Sequence, residues 1–569
     1  MASRVIGETL LEKGIITPEQ LDKALKEQKR TGEYLGSTLI RLGFISEKEL
    51  LLVLSEQFGI PYQSIKDLSI DEKVISSIPP KYVWHYKFMP LKLKGNLLTI
   101  AISNPLDIWL PEDIKLNLGY DVEIVLTTEQ EIRDALRKYY GVGAETVEKI
   151  LERETFRPDK GETKNLQAIE DIERSAQDAS VIKLVNQILV EAIQSRATDI
   201  HIEPYRDSVK LRYRIDGILY DASIPTDMKY LHLAMVSRIK IISNLDVVER
   251  RLPQDGRSKI KIGEKEVDLR ISILPSLYGE NVVIRILPTQ LLLNLEDLGL
   301  LPQDQQRLET LIKKPHGILF LTGPTGSGKT TTLYACLSRI NSPEVKIITI
   351  EDPVEYELMG VTQIQINPKV GMTFANALRS ILRHDPDIMM VGEVRDFETA
   401  ELAIRTALTG HLVFSTLHTN DAASGVARLL DMGIEPYLVA SSVEAFIAQR
   451  LVRVICSECK EEVKTGDFSP QNVADSPNIM AKKVKGPVYR GKGCEACKFT
   501  GYHGRTAIYE ILFIDEPIRE LMLRKASVTE IKKKALSLGM RTLKDHGLEA
   551  VADGKTTLEE ILRVVELEE

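Results

Sequence analysis

Residues Gly323 to Thr330, just past the middle of the chain, read Gly-Pro-Thr-Gly-Ser-Gly-Lys-Thr and fill every fixed position of a phosphate-binding loop. The apolar run Gly317–Thr322 before the loop predicts a strand, and the run that begins at Thr331 predicts a helix. A glycine-rich turn between a strand and a helix exposes consecutive backbone N–H groups, which can hold phosphate oxygens. A chance glycine-rich turn is disfavoured in this context, so the sequence predicts a nucleoside triphosphate site.

Two side chains of the loop have chemistry of their own. Lys329 would neutralise phosphate charge, and the hydroxyl of Thr330 would ligate Mg²⁺. We expect the nucleotide to be held by consecutive residues of the loop and of the first helical turn: Gly323, Pro324, Thr325, Gly326, Ser327, Gly328, Lys329, Thr330 and Thr331.

The bulk properties of the chain limit its class. A length of 569 residues predicts about three or four domains. No apolar stretch approaches the roughly 18 residues of a membrane span, and the early charges Glu8, Glu12 and Lys13 argue against a signal peptide. We therefore expect a cytoplasmic protein that meets a membrane only through a partner. The net charge of −8 (74 basic and 82 acidic residues) argues against a nucleic-acid partner.

Four of the five cysteines form two Cys-x-x-Cys pairs. Cys336 stands apart and is expected to be a small buried apolar residue. Disulfide bonds within the pairs would require an oxidising compartment, and the expected lack of a signal peptide argues against one. Four thiolates can close a tetrahedral Zn²⁺ site with no ligand position left for substrate. We therefore predict a structural zinc site formed by Cys456, Cys459, Cys494 and Cys497.

The first 60 residues contain a repeat with an offset of 29 residues, in which each copy has two helices separated by a turn. Thr17 and Ser46 are the expected N-caps of the second helix in each copy. Glycines and a closing glutamine recur at equivalent positions, namely Gly7, Gly14 and Gln28, then Gly36, Gly43 and Gln57.

Beyond the repeat, composition and patterning change several times along the chain. Residues 61–140 read as mixed α/β, with a strand at Leu97–Ile102. Residues 141–165 are rich in Gly, Glu, Lys, Arg and Thr, which predicts a linker. A helix from Ser180 and three alternating strands predict a compact α/β domain that ends near Pro288, and the phosphate-loop domain begins after about residue 300.

Three segments after the loop are expected to complete a hydrolytic site. Glu351 ends a β-branched strand and is a candidate base that polarises water. Glu393 follows the apolar run Ile388–Val391 in a Walker B pattern, whose acid organises Mg²⁺. His411 and His418 flank a third strand, and His418 could contact the γ-phosphate. The alternative for both histidines is a strand-end imidazole that is satisfied by backbone groups.

Together these segments resemble the secretion ATPase family, the hexameric motors of type II secretion and type IV pili. The resemblance covers nearly the whole chain. It includes an Asp box at Thr349–Glu355, the sequence Gly392-Glu393-Val-Arg395-Asp396, and a His box from His411 to Asp421. The N-terminal repeat together with the cysteine pairs is most similar to the pilus extension ATPases of the PilB type. Type II secretion ATPases share the cysteines and are the alternative.

The resemblance implies a multidomain α/β fold. Its expected parts are an N-terminal MshEN-like domain (1–140), the linker (141–165), a PAS-like α/β domain (166–290), and a RecA-like ATPase domain (300–569) with a Cys₄ zinc subdomain (450–510) and terminal helices. It also implies that upstream arginines, Arg270 and Arg285, approach the γ-phosphate. Pairing of these arginines with local acids such as Asp268 and Glu280 is the alternative.

MshEN modules bind cyclic di-GMP through two such repeats. The family pattern begins Arg-Leu-Gly, whereas this chain has Val5-Ile6-Gly7 and Tyr34-Leu35-Gly36. Arg4 could act through a shift of one residue, and Tyr34 could stack on a guanine. A plain packing role for the repeat is the alternative.

The function that the resemblance implies is Mg²⁺-dependent ATP hydrolysis by a homohexamer. Such a ring would act at the inner membrane on a platform protein and drive pilin polymerisation. A scaffold gated by a nucleotide or by cyclic di-GMP, with incidental hydrolysis, is the alternative from another class.

Overall fold

A computed structural model of the chain describes residues 2–66, 68–107, 110–141, 143, 146–147, 178–262, 265–288, 294–463 and 487–565. The chain divides into two compact units, Met1–Ile286 and Leu287–Glu569. Most of the predicted linker, residues 141–165, lies outside the described residues. None of the helices within the described ranges has the length and apolar character that crossing a membrane requires.

The first part of unit 1 is a mixed α/β domain. Its strands form a three-stranded sheet in which β2 pairs antiparallel with β1 and parallel with β3: β1 Met89–Lys94, β2 Leu97–Ile102 and β3 Asp121–Leu126. Eight helices accompany the sheet: α1 Ala2–Glu12, α2 Pro18–Thr31, α3 Leu35–Arg41, α4 Glu47–Phe58, α5 Glu72–Ser77, α6 Pro80–His85, α7 Leu110–Leu118 and α8 Glu129–Tyr140. One continuous apolar core extends from Ile6 to Tyr140, and the predicted strand at Leu97–Ile102 is confirmed.

The sequence repeat is also a structural repeat. The predicted N-caps are confirmed, because Thr17 and Ser46 each accept a hydrogen bond from a backbone N–H three residues later, in matching capping boxes. A Cβ atom on Gly7 would lie 3.0 Å from Leu21, and one on Gly36 would lie 2.7 Å from Leu50. Because these contacts are again 29 residues apart, both glycines allow the same close approach between helices.

The second part of unit 1 is built on a six-stranded sheet in the order β6-β5-β4-β9-β8-β7. Its strands are β4 Ala197–Pro204, β5 Val209–Ile215, β6 Ile218–Asp221, β7 Gln254–Ile262, β8 Lys265–Ser276 and β9 Gly279–Pro288. Two helices, α9 Ala179–Gln194 and α10 Met228–Ile242, share an apolar core with this sheet. The predicted helix and all three predicted strands are confirmed, and β4, β6 and β7 are additional.

Unit 2 contains a seven-stranded sheet in the order β12-β11-β13-β14-β10-β15-β18. Its strands are β10 Gly317–Thr322, β11 Ile347–Glu351, β12 Val361–Gln365, β13 Ile388–Val391, β14 Leu412–Leu417, β15 Val443–Ile455 and β18 Tyr502–Phe513. All neighbours pair in parallel except β15 with β18. Separate apolar clusters involve this sheet, as expected when helices cover both of its faces.

The helices of unit 2 precede, connect and follow these strands: α11 Pro302–Leu311, α12 Lys329–Ile340, α13 Phe374–Ile381, α14 Phe397–Leu408, α15 Ala423–Asp431, α16 Pro436–Ser442, α17 Glu516–Leu523, α18 Val528–Ser537, α19 Leu543–Ala552 and α20 Leu558–Val564. A small antiparallel pair, β16 Lys460–Val463 with β17 Val488–Gly491, lies between β15 and β18 in the chain. The α/β multidomain class is therefore confirmed.

Candidate functional site

The phosphate-binding loop lies at the carboxyl end of β10, which is flanked by β14 and β15. Lys329 is the first residue of α12, so the loop runs directly into a helix N-terminus, as predicted. A Cβ atom on Gly323 would lie 2.7 Å from the carbonyl oxygen of Gln449 and 3.0 Å from Nη1 of Arg450. The loop therefore passes so close to β15 that no side chain fits at position 323.

The ammonium of Lys329 is folded back onto the loop. Its Nζ donates to the carbonyl oxygens of Gly323 (2.8 Å) and Pro324 (3.1 Å). Burial, together with the nearby charge of Arg450, lowers the pKa of Lys329 to about 8, and the carboxylate of Glu393 acts in the opposite direction. A phosphate would replace two neutral acceptors with charged ones, which favours the protonated amine.

The hydroxyl of Ser327 in the loop is also available to a ligand. Within the described residues, Oγ of Ser327 is buried and has no hydrogen-bond partner. An unpaired buried hydroxyl costs free energy that a ligand oxygen can recover. Thr330, the predicted Mg²⁺ ligand, and Thr331 follow in the first turn of α12. The residues present therefore fit a bound nucleotide with its metal ion.

Glu393 stands just after β13, where the Walker B pattern placed it. The hydroxyls of Ser415 and Thr416 on β14 donate to the carbonyl oxygens of Val391 and Gly392, at 2.7 and 2.8 Å. These bonds fix the backbone that carries the carboxylate. The side chain of Glu393 is only 15 % exposed, and the charge of this group reaches Lys329.

Two basic side chains contact Glu393. Its Oε1 lies 2.7 Å from Nη2 of Arg395, and its Oε2 lies 3.4 Å from Nε2 of His418. His418 follows β14, so adjacent parallel strands bring the acid and the histidine together. His411 lies at the other end of β14, where its Nδ1 is 3.1 Å from the carbonyl oxygen of Thr406. That contact favours the backbone-satisfied alternative for His411.

Glu351 has a different setting. It is the last residue of β11 and is 4 % exposed. The hydroxyl of Tyr334 donates to its Oε2, while Thr349 (2.7 Å) and Gln363 (3.0 Å) donate to its Oε1. Both oxygens of this carboxylate are therefore already occupied by protein donors.

The four paired cysteines form one cluster, with their sulfur atoms within 4.8 Å of one another. The sulfur–sulfur distances are 3.7 Å for Cys456–Cys494, 3.9 Å for Cys459–Cys497 and 3.7 Å for Cys494–Cys497. Zn–S bonds of about 2.3 Å in a tetrahedron place sulfurs about 3.8 Å apart. The cluster can therefore hold a metal ion of this size.

Backbone donors also reach the sulfur cluster. The N–H of Gly493 donates to the sulfur of Cys459 (3.3 Å), and that of Cys494 donates to the sulfur of Cys497 (3.1 Å). Burial alone would raise the pKa of Cys497, but hydrogen bonds from the backbone at Cys494 and Gly501, together with those from the side chains of Cys494 and Cys459, outweigh it and lower this pKa to about 7. Such donors stabilise thiolates, the form that binds a metal.

Comparison with known proteins accounts for this architecture. Residues 174–563 match the model of the type II/IV secretion system protein family. The chain belongs to this family. It is 43 % identical to the type IV pilus assembly ATPase PilB of Myxococcus xanthus over 98 % of both chains. It is also 40 % identical to the type II secretion system protein E of Xanthomonas campestris, over 99 % of this chain and 98 % of that protein.

A solved structure is similar as well. The pilus retraction motor PilT with bound ADP is 26 % identical, with a TM-score of 0.46, over 67 % of this chain and 96 % of that one. The family match and the full-length relatives show that the chain is an ATPase that hydrolyses ATP.

A second family model, the MshEN domain, matches residues 58–146. This match confirms the MshEN-like domain but begins after the repeat of Gly7 to Gln57, which was expected to carry the ligand motifs. Tyr34 is 68 % exposed, as a stacking residue requires. Gly7 and Gly36 face leucines, and Gly14 and Gly43 follow α1 and α3. Of the two glutamines, Gln28 is half-buried and Gln57 is exposed. The side chain of Arg4 lies outside the described residues.

The two upstream arginines lie on neighbouring strands of unit 1, Arg270 on β8 and Arg285 on β9. The Nε of Arg285 donates to the carboxylate of Asp199 at 3.0 Å. The acids that were expected as partners are engaged elsewhere, since Asp268 lies 3.8 Å from Lys259 and Glu280 lies 2.7 Å from Lys240. Arg285 therefore pairs with an acid, as the alternative expected, and that acid is Asp199, which strand pairing brings beside it.

Residues on β15 complete the surroundings of the loop and had no assigned role in the sequence. Arg450 donates to the carbonyl oxygens of Asn420 (2.8 Å) and Gln449 (3.1 Å), which joins the His box to β15. The buried side chain of Gln449 accepts from the hydroxyl of Thr332 at 3.0 Å.

Proposed function

We propose that this ATPase is a motor for type IV pilus assembly, active as a cytoplasmic homohexamer on an inner-membrane platform protein. The observation that carries the enzymatic part is the arrangement of Lys329, Glu393 and His418 at one edge of a parallel sheet. The full-length similarity to a pilus assembly ATPase supports the choice of pilus over pseudopilus. A role in type II secretion is the second candidate, favoured by the protein E relative.

In the proposed reaction, water attacks the γ-phosphate. Mg²⁺, when bound, would neutralise charge on the phosphates, with Thr330 and Glu393 as the residues that would hold it. Lys329 leaves the loop carbonyls for phosphate oxygens, and Ser327 gains the acceptor that it lacks. His418 contacts the carboxylate of Glu393, and its contact with the γ-phosphate is part of the proposal. The roles of Arg270 and Arg285 at the phosphate stay predictions.

The motor role can be tested in the native host. Deletion of the gene should abolish surface pili, and only the wild-type gene, not Lys329→Ala, should restore them, because the lysine carries the phosphate charge. Electron microscopy counts the pili, and assays of secreted enzymes measure type II secretion in the same strains. Normal pili with lost secretion would transfer the function to pseudopilus assembly.

We also propose that the N-terminal domain binds cyclic di-GMP with Tyr34 stacked on a guanine. Stacking of a base on an aromatic ring contributes about 1–3 kcal/mol. Tyr34→Ala should therefore weaken binding by about tenfold or more in calorimetry of the full chain. Tyr205→Ala, which removes another exposed tyrosine, is the control. If the parent chain releases no heat at high micromolar ligand, the repeat has only a packing role.

A further inference from the structure

We propose that Glu351 is a positioning residue that locks the loop after β11 against the phosphate-loop helix, and that it does not accept the proton of the attacking water. This inference rests on the proposed ATP hydrolysis, which it refines by separating the two candidate glutamates. It also replaces the assignment of Glu351 as the base that its place in the Asp box suggested.

The first argument is the state of the carboxylate. Glu351 is 4 % exposed and accepts from three side chains, Tyr334, Thr349 (2.7 Å) and Gln363 (3.0 Å). A general base must lie within hydrogen-bond reach of the water that it activates. Because the carboxylate is 4 % exposed, a water can reach it only if a surrounding side chain moves, and a buried donor left without an acceptor by such a movement costs about 1–3 kcal/mol.

The second argument is what the three donors connect. Tyr334 belongs to α12, one turn beyond Lys329 and Thr330, while Thr349 lies on β11 and Gln363 on β12. The carboxylate therefore ties the phosphate-loop helix to two strands. This buried group therefore adds polar contacts to the apolar packing that already joins the loop helix to the sheet.

The hydrogen bonds of Glu351 with Tyr334, Thr349 and Gln363 form a network that we call the lock. Gln363 extends the lock into the loop of residues 352–358. Its Oε1 accepts from the N–H of Leu358 (2.7 Å), and its Nε2 also donates to the carbonyl oxygen of Tyr356 (2.9 Å). The N–H of Glu355 lies 3.4 Å from the hydroxyl of Tyr334. Tyr334 and Gln363, two of the three side chains that donate to Glu351, therefore also hold this loop.

The lock also contacts the backbone next to Glu393, the acid whose charge reaches Lys329. The N–H of Gly392 donates to the carbonyl oxygen of Ile350 at 2.8 Å, and a Cβ atom on Gly392 would lie 3.5 Å from the Cα of Glu351. A shift of Glu351 would therefore move the backbone just before Glu393. Misplacement of a catalytic group by about 1 Å can cost about 10²-fold in rate.

Three variants test the lock: Glu351→Gln, Tyr334→Phe and Gln363→Met. Each should lower kcat by about tenfold, because each disrupts the same hydrogen-bond network, and KM for ATP should change by less than a few-fold. The double variant Tyr334→Phe/Gln363→Met should lose little more than Glu351→Gln, since members of one network are not additive. The acidic limb of the pH–rate profile should persist in all of them.

Tyr139→Phe is the matched control, because it removes a phenol that donates to the carbonyl oxygen of Leu68 (2.9 Å) in the N-terminal domain. It should leave kcat unchanged. The inference is overturned if Glu351→Gln loses more than about 10²-fold and its acidic limb, while Tyr334→Phe and Gln363→Met hydrolyse ATP like the parent. That pattern is the one expected of a proton acceptor.

Hydrogen exchange gives a second readout that does not need turnover. The amides of Glu355 and Leu358 should exchange at least tenfold faster in Glu351→Gln and in Tyr334→Phe than in the parent chain. Unchanged exchange in both variants would refute the lock. If the parent chain hydrolyses no ATP, the proposed function fails, and the exchange rates still decide whether Glu351 positions this loop.

Discussion

Replacing Glu393 with glutamine should leave ATP bound and slow its hydrolysis by at least about 10²-fold. The amide keeps the size of the side chain but cannot take up a proton or hold a metal-bound water as a carboxylate does. Its contacts with Arg395 and His418 would also lose their charge. Glu351 is 4 % exposed and accepts hydrogen bonds from three protein donors, whereas the charge of the Glu393 carboxylate reaches Lys329 of the phosphate loop.

Phosphate release from the purified full chain measures the effect, and binding of a fluorescent ATP analogue shows that the site is intact. Glu398→Gln is the control, since Glu398 is an exposed acid that pairs with Arg379 on the neighbouring helix. Turnover within a few-fold of the parent would remove Glu393 from the reaction. If the variant hydrolyses slowly but still supports pilus assembly in cells, the chain is a nucleotide-gated scaffold with incidental hydrolysis.

Sequence alone located the parts of the site that depend on local order. The strand, loop and helix around Lys329 follow from residues within 20 positions of one another, and hydrophobic patterning predicts each of them. The same holds for the N-caps Thr17 and Ser46, because a capping box is complete within four residues. These features were predicted correctly.

The contacts between side chains distant in sequence were not predictable in the same way. Tyr334 reads as an ordinary helical residue and Gln363 as an ordinary strand residue, and only the strand order brings both to Glu351. The partner of Arg285 was missed for this reason too, since Asp199 is 86 positions away. Without strand pairing, a search for nearby acids favours residues close in sequence.

The cysteine cluster was predictable from the sequence only in part. Spacing predicts that four thiols could meet, and the fold brings the two pairs together through the long antiparallel pairing of β15 with β18. The N–H of Cys456 donates to the carbonyl oxygen of Gly501 at 3.0 Å, which closes the base of the subdomain. Only 3.7 to 3.9 Å then separates three of the sulfur pairs.

Loss of the zinc ion that we predict at the four cysteines should have the largest effect on stability. Structural zinc contributes an apparent 10–16 kcal/mol or so in small domains, which is comparable to the whole stability of a typical domain, about 5–15 kcal/mol. We expect one zinc per chain, lost in Cys494→Ser. The described strands of this segment, β16 and β17, should then become sensitive to protease, while ATP still binds, because no cysteine ligand contacts the phosphate loop among the described hydrogen bonds.

Destabilisation should extend from the cysteine subdomain to the C-terminal helices. The buried carboxylate of Glu560 on α20 accepts from the side chain of Arg453, at 3.1 and 2.9 Å, three residues before Cys456. The N–H of Ile455 donates to the carbonyl oxygen of Lys555 at 2.8 Å. A subdomain that loses its metal would loosen this end of β15 and with it the docking of α20.

Elemental analysis under reducing conditions and thermal unfolding with and without a chelator check this prediction. Cys336→Ala is the matched control, because that thiol is buried in the apolar core, where burial raises its pKa to about 12, and it lies outside the cluster. This variant should keep its zinc. A reduced protein without zinc, or a Cys494→Ser variant that resists protease like the parent, would show that the thiols pack without a metal. In the expected case, zinc holds the end of β15 that carries Arg453, and Cys494→Ser frees α20 before the phosphate loop is disturbed.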